Sequence, residues 1–138
     1  MKLFVDTWGW LALADRSDVY HEPAAKFYAE RSRRTGRIFT SNFVLDEFLT
    51  LLFARRPAAE ASRFTKALLA SQFVTVEFVT RERFDLAIEL RFKLADKPKI
   101  SFTDLTSMVI MKELGIADVM TADSHFLQVG LGFRTFPE

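Results

Sequence analysis

Apolar residues recur along the chain in two rhythms. Brief runs rich in β-branched and aromatic residues, Leu3-Phe4-Val5, Ile38-Phe39-Thr40 and Phe73 to Val79, read as strands, the second following a turn signal at Thr35-Gly36. Between them lie longer amphipathic or Ala/Leu-rich stretches that predict helices. Trp8 to Ala14 is one; His21-Glu22-Pro23 opens another over Ala24 to Arg34, with proline near the first turn. Phe43 to Arg55 predicts a third, stopped before Pro57, and Ala58 to Ala70 a fourth. Arg83 to Ala95 ends ahead of Pro98, and Ser101-Phe102-Thr103-Asp104 starts a helix that runs to Leu114, with Gly115 where a closing glycine belongs. Ile116 to Thr121 and Gly132 to Phe136 supply two further strands, the last near an edge. Short strands alternating with helices predict an α/β layer structure, its mainly parallel sheet joined by right-handed crossovers.

Composition limits what this scaffold can be. At 138 residues, 49% hydrophobic and with 15 Phe, the chain fills one core, and we read residues 1–138 as a single domain without repeats or linkers. The 19 Lys and Arg nearly balance the 18 Asp and Glu, so any nucleic-acid surface must come from segregated charge. No Cys means no disulfide framework and no thiolate chemistry. Lys2, the apolar stretch behind it and Ala12-Leu13-Ala14 mimic an export signal, but Asp6 divides the stretch, and no apolar run approaches the ~20 residues of a membrane span. The expectation is a cytoplasmic protein with no membrane partner.

Asp6 is the first of four conspicuous acids. It follows a strand expected to be buried, where an unpaired carboxylate costs several kcal/mol or more unless hydrogen-bonded or holding a cation. Asp123, in Val119-Met120-Thr121-Ala122-Asp123, follows another strand. Ligands in such sheets gather beyond the carboxyl ends of the strands. Helical spacing places Phe43 and Leu51 either side of Glu47 but Asn42 and Thr50 either side of Asp46, so Glu47 lies nearer the buried face. Each acid also has an innocent reading. Asp6, Asp104 and Asp123 suit the first turns of helices, and Ser101-x-x-Asp104 matches a capping box. Glu47 suits a partly buried hydrogen bond. Four converging carboxylates would repel one another without a cation, and hard oxygens with two His and no Cys point to Mg²⁺ or Mn²⁺. Such a site suits phosphate chemistry.

The segments MKLFVDT, SNFVLDEFLTLL, SFTDLTSMVIMKELGI and VMTADSHF, spread over nearly the whole chain, resemble the PIN-domain ribonucleases, particularly the VapC type of bacterial toxin. The resemblance implies a three-layer α/β/α fold and Mg²⁺- or Mn²⁺-dependent endonucleolytic cleavage of RNA, leaving 5′-phosphate and 3′-hydroxyl ends. It carries Asp6, Glu47, Asp104 and Asp123 over as metal-binding and catalytic acids, with Thr7, Ser41 and Thr121 as polar supports; helix capping is an equally good account of Ser41. A small protein antitoxin and a homodimer are the partners it implies. Trp8 stands where the family often has Ser or Asn, and Asp46 beside Glu47 leaves a register ambiguity of one residue. The reading of a different class is a catalytically inactive PIN-like module that binds RNA or protein.

RNA contacts have candidates in Arg31, Arg33, Arg34, Arg37, Arg55 and Arg56, although a solvated face is the better account of Arg31 to Arg37. Trp8 and Trp10 offer rings for stacking, with core packing expected of at least one. For His125 the spacing favours capping or packing over general-base catalysis. A phosphatase would want a second Asp where Trp8 stands. A receiver domain would want an acidic pair at the first strand and a Lys after a late one; this chain has neither.

Overall fold

A computed structural model describes residues 2–35 and 37–137. The chain runs β1 (Leu3–Val5), α1 (Thr7–Ala14), α2 (His21–Thr35), β2 (Ile38–Ser41), α3 (Asn42–Arg55), α4 (Ala58–Ala70), β3 (Val74–Glu77), α5 (Arg81–Lys93), α6 (Phe102–Leu114), β4 (Asp118–Met120), α7 (His125–Gln128) and β5 (Arg134–Phe136). All five strands are parallel, in the order β3-β2-β1-β4-β5. The chain builds outward from β1 to β3 and then returns to place β4 and β5 on the other flank. Right-handed crossovers therefore put α1 to α4 on one face and α5 to α7 on the other. Packing agrees: α1 lies against α2 and α3, and α6 against α5 and α7.

Local chemistry explains where elements differ from expectation. Thr80 starts α5 two residues sooner than predicted, its hydroxyl accepting from the Arg83 amide at 3.3 Å. The helix also ends sooner, and Arg91 ties the loop behind it by donating to the carbonyls of Leu94, Lys97 and Ile100. β5 begins only at Arg134, because Gly132, at φ +84°, turns the chain immediately before it. Gly115, at φ +69°, closes α6 as predicted, and the Ile116 amide turns back to the Met111 carbonyl, so β4 starts at Asp118. β3 is confined to Val74–Glu77 at the sheet edge, with Phe73 and Phe78 exposed beside it. The expected Thr35-Gly36 turn involves Gly36, which lies outside the described residues.

The core sits on both faces of β1, whose three residues are fully buried. α1 is laid directly on the seam between β1 and β4. A Cβ on Gly9 would stand 2.7 Å from Val5 Cγ1 and 2.9 Å from the Met120 carbonyl oxygen. Trp10, buried, donates through Nε1 to Thr40 Oγ1 at 2.9 Å, and Thr40 donates onward to the Val5 carbonyl at 3.0 Å. One hydroxyl thus fastens α1, β2 and β1 together, and Trp10 is core rather than a stacking platform. Among the described residues no helix is long and apolar enough to cross a membrane.

Candidate active site

The reversal of strand order between β1 and β4 opens a crevice at their carboxyl ends. Val5 and Met120 are register partners, so the next residues, Asp6 and Thr121, emerge side by side. Asp6 is buried, accepts a hydrogen bond from the Gly9 amide at 3.0 Å to cap α1, and is also bonded by the Thr121 hydroxyl. Burial outweighs both bonds and, with the nearby charges of Asp104 and Asp123, raises its pKa to about 7. The innocent reading of Asp6 as a cap is correct and incomplete.

Asp104 reaches the cluster from the first turn of α6. Ser101 caps that helix, accepting from the Asp104 amide at 3.0 Å, which leaves the Asp104 carboxylate to point elsewhere. Its pKa is raised to about 6, chiefly by burial, with Asp123 and Glu47 adding repulsion and His125 opposing it. Asp123 follows β4 in a tight turn. Thr121 Oγ1 accepts from its amide at 2.9 Å, and its own carboxylate accepts from the His125 amide at 2.8 Å.

Glu47 comes from α3, whose start is fixed by Ser41, buried and accepting from the Val44 amide at 3.1 Å. Ser41 acts on the cluster only by setting the helix that carries Glu47. Thr7, the first residue of α1, donates to Glu47 Oε1 at 2.7 Å. Glu47 is half-buried while Asp46 is exposed, so the structure directs Glu47, and not its neighbour, toward the other acids.

His125, for which the spacing favours capping or packing, joins the cluster through its ring. Its ring Nδ1 lies 2.9 Å from Asp123 Oδ2 and 3.3 Å from Asp104 Oδ2, bridging the two carboxylates. Nδ1 must carry the proton to donate to either. The signal lay in the spacing Asp123-Ser124-His125, which on a turn entering α7 brings the ring back over the acid. Ligand atoms of Asp104, Asp123 and His125 lie within 4.8 Å of one another. The donor set is mainly carboxylate oxygen, and Asp6 and Asp104 are buried acids that also face further carboxylates, so these residues fit a hard divalent cation.

The arginine candidates divide. Arg31 is buried, paired with Asp118 at the start of β4 and stacked over Phe27 and Phe136, so it is structural rather than an RNA contact. Arg33, Arg34 and Arg37 are exposed around the entry to β2, at the strand ends opposite the acids. Trp8 is half-buried, its ring 5.6 Å from that of the exposed Tyr20.

Five parallel strands in this order, with acids gathered from four segments at the central crevice, define a nuclease-like α/β class, and the chain belongs to the PIN-domain family, whose model matches residues 3–131. It is 34% identical over 128 residues to the 23S rRNA-specific endonuclease VapC20 of Mycobacterium tuberculosis, covering 93% of this chain and 94% of that protein. The crystal structure of that protein, described as a sarcin-ricin loop cleaving toxin, matches with a TM-score of 0.83 at 31% identity, over 94% of this chain and 95% of that one. VapBC2 from Rickettsia felis, crystallised with a DNA fragment from its promoter, matches with a TM-score of 0.75 and shares the fold at 14% identity, over 98% and 97% of the two chains.

Proposed function

We propose that this chain is a Mg²⁺- or Mn²⁺-dependent endoribonuclease, the toxin of a toxin–antitoxin pair. The single observation that carries the reading is the convergence of Asp6, Glu47, Asp104 and Asp123 at the switch-point crevice, where their charges act on one another. Asp6, Asp104, Asp123 and Glu47 would hold the metal. Bound there, the ion supplies Lewis-acid stabilisation of the phosphate and a water of lowered pKa.

The chain's own residues do the rest. Thr7 fixes one oxygen of Glu47, leaving the other to accept the proton of the attacking water. Water adds to phosphorus and the bond to the 3′-oxygen breaks; the leaving oxygen takes a proton from solvent. His125 orients Asp104 and Asp123, and Thr121 orients Asp6.

The likeness to VapC20 supports a structured ribosomal RNA loop as substrate, and the fold shared with VapBC2 supports a small antitoxin as partner; in this reading the chain is cytoplasmic and acts as a homodimer. Residues 1–138 form one nuclease domain in this reading. The test is incubation of purified protein with a 23S rRNA sarcin-ricin hairpin. Cleavage is expected with Mg²⁺ or Mn²⁺ and is lost with EDTA or with Asp6→Asn; cleavage insensitive to both would remove the metal–carboxylate mechanism.

A further inference from the structure

Helices α1 and α3 pack against each other, and both start at the acid cluster, α1 from Asp6 and α3 one turn before Glu47. Both also end at a common place. There a cavity of about 670 Å³ is lined by Leu13 and Ala14 of α1, by Arg16, by His21 of α2, and by Arg56, Glu60 and Arg63 at the α3–α4 corner. The eight residues of α1, a helix about 12 Å long, run from beside Asp6 to Ala14 of this cavity.

The cavity carries surplus positive charge. Arg56 is held in place, donating to Glu60 Oε2 at 3.0 Å and lying 3.8 Å from Asp15. The charge of Arg55 is also felt at Asp15. Arg16 and Arg63 are exposed and have no ion pair among the described residues. Three guanidiniums of the lining thus meet one carboxylate of the lining, Glu60, with Asp15 beside Arg56. The Asp15 carboxylate is turned inward, taking both the amide and the hydroxyl of Ser17 at 3.0 and 2.6 Å. His21 spends Nδ1 on the Ala12 carbonyl at 2.8 Å.

An aromatic pair adjoins both sets along the chain. Trp8 adjoins Thr7 of the cluster, Tyr20 adjoins His21 of the cavity, and Tyr20 is 52% exposed. An acidic peptide would have use for the cations but not for an exposed tyrosine next to His21 of the cavity. Nucleic acid uses both, since bases stack on aromatic side chains and phosphates pair with arginine.

We infer that the Arg16–Arg56–Arg63 cavity is a phosphate-binding site that holds the backbone of the RNA substrate at the far end of α1 from the acids, with the exposed Tyr20 ring next to it along the chain for a base to stack on. This rests on the nuclease reading. The cavity makes the enzyme prefer folded RNA long enough to span from acids to arginines.

The test is fluorescence anisotropy of a labelled RNA hairpin with the full chain carrying Asp104→Asn, which binds without cutting, over a KCl series. Adding Arg16→Glu and Arg63→Glu is expected to weaken binding about tenfold or more and to flatten the log–log salt slope by about 2, one unit for each lost phosphate contact. In an otherwise unaltered chain the same pair should leave cleavage of a dinucleotide unchanged, because so short a substrate reaches only the acids. Equal affinity and slope in parent and variant would overturn the site, as would poly-glutamate binding that needs these arginines while RNA binding does not. A parent that binds no hairpin overturns the site together with the RNA reading. Arginine-dependent binding by a chain that never cleaves keeps the site and removes only the nuclease.

Discussion

The hydroxyl of Thr7 donates to Glu47 Oε1 at 2.7 Å, tying the first turn of α1 to the second turn of α3 across the crevice. Forty residues separate them in sequence. Removing the hydroxyl with Thr7→Val should lower cleavage about tenfold with little change in melting temperature, as loss of an orienting partner does at metal sites. Thr7→Ser should restore it. Glu47→Gln should cost about a hundredfold or more, while Asp46→Asn, on the exposed face, should stay within about twofold. Steady-state cleavage assays on the four variants check the set; equal losses at 46 and 47 would overturn the placement of Glu47.

Stability of the metal-free protein should fall as pH rises from about 4 to about 7. In the unfolded chain Asp6 ionises near 3.8, whereas in the fold it keeps its proton to about 7 and Asp104 to about 6. The folded state binds more protons across that window, so stability present below pH ~4 is lost as pH climbs through it, by a few kcal/mol on the scale of ~1.4 kcal/mol per pKa unit. Asp15 and Glu113, both held below their ordinary values, act in the opposite sense at more acid pH and leave pH 5 to 8 clear. Thermal melts in EDTA at pH 5 and pH 8 should show the drop, and Asp6→Asn should shrink it. A flat profile would mean that the acids are less crowded than they stand here.

Gly9→Ala places a methyl group where 2.7 Å separates it from Val5 and 2.9 Å from the Met120 carbonyl. Helix propensity favours alanine, yet overpacking costs ~1–3 kcal/mol and should win. The same shift lifts α1 from the β1–β4 seam and with it the amide that Asp6 caps. Denaturant titration should show the loss, and cleavage should fall further than the fraction unfolded explains.

Arg31→Ala should destabilise the fold by ~3–5 kcal/mol, because it leaves Asp118 buried without one of its two arginines. RNA affinity of the folded fraction should be unchanged. A stable variant with weakened RNA binding would return Arg31 to the nucleic-acid surface.

The sheet and most helices were legible because their signals are local. Pro57, Pro98 and Gly115 punctuate the chain, and the β-branched runs stand apart from the amphipathic stretches. The acids were legible because each follows a strand or rides a helix at a position the layer architecture sends to one edge. What local pattern does not carry is the partnership of side chains across elements. The Asp123-Ser124-His125 spacing brings the ring near its own acid, but nothing in it announces that Asp104 of α6 will stand on the other side. Arg31 sits in a run of arginines that reads as a solvated face, and only the docking of α2 beside β4 and β5 reveals the buried Asp118 that claims it. The cavity residues come from two loops and three helices whose meeting is a tertiary event.

The central place of β1 has a consequence for how the enzyme fails. Asp6 hangs from the one strand with two neighbours on either side, its backbone amide directed to Met120 of β4 at 3.4 Å. Edge strands β3 and β5 can fray without disturbing it. Amide exchange at Phe4 and Val5 should therefore proceed only through opening of the whole molecule, so that partial unfolding spares the centre and a chain is either armed or entirely undone.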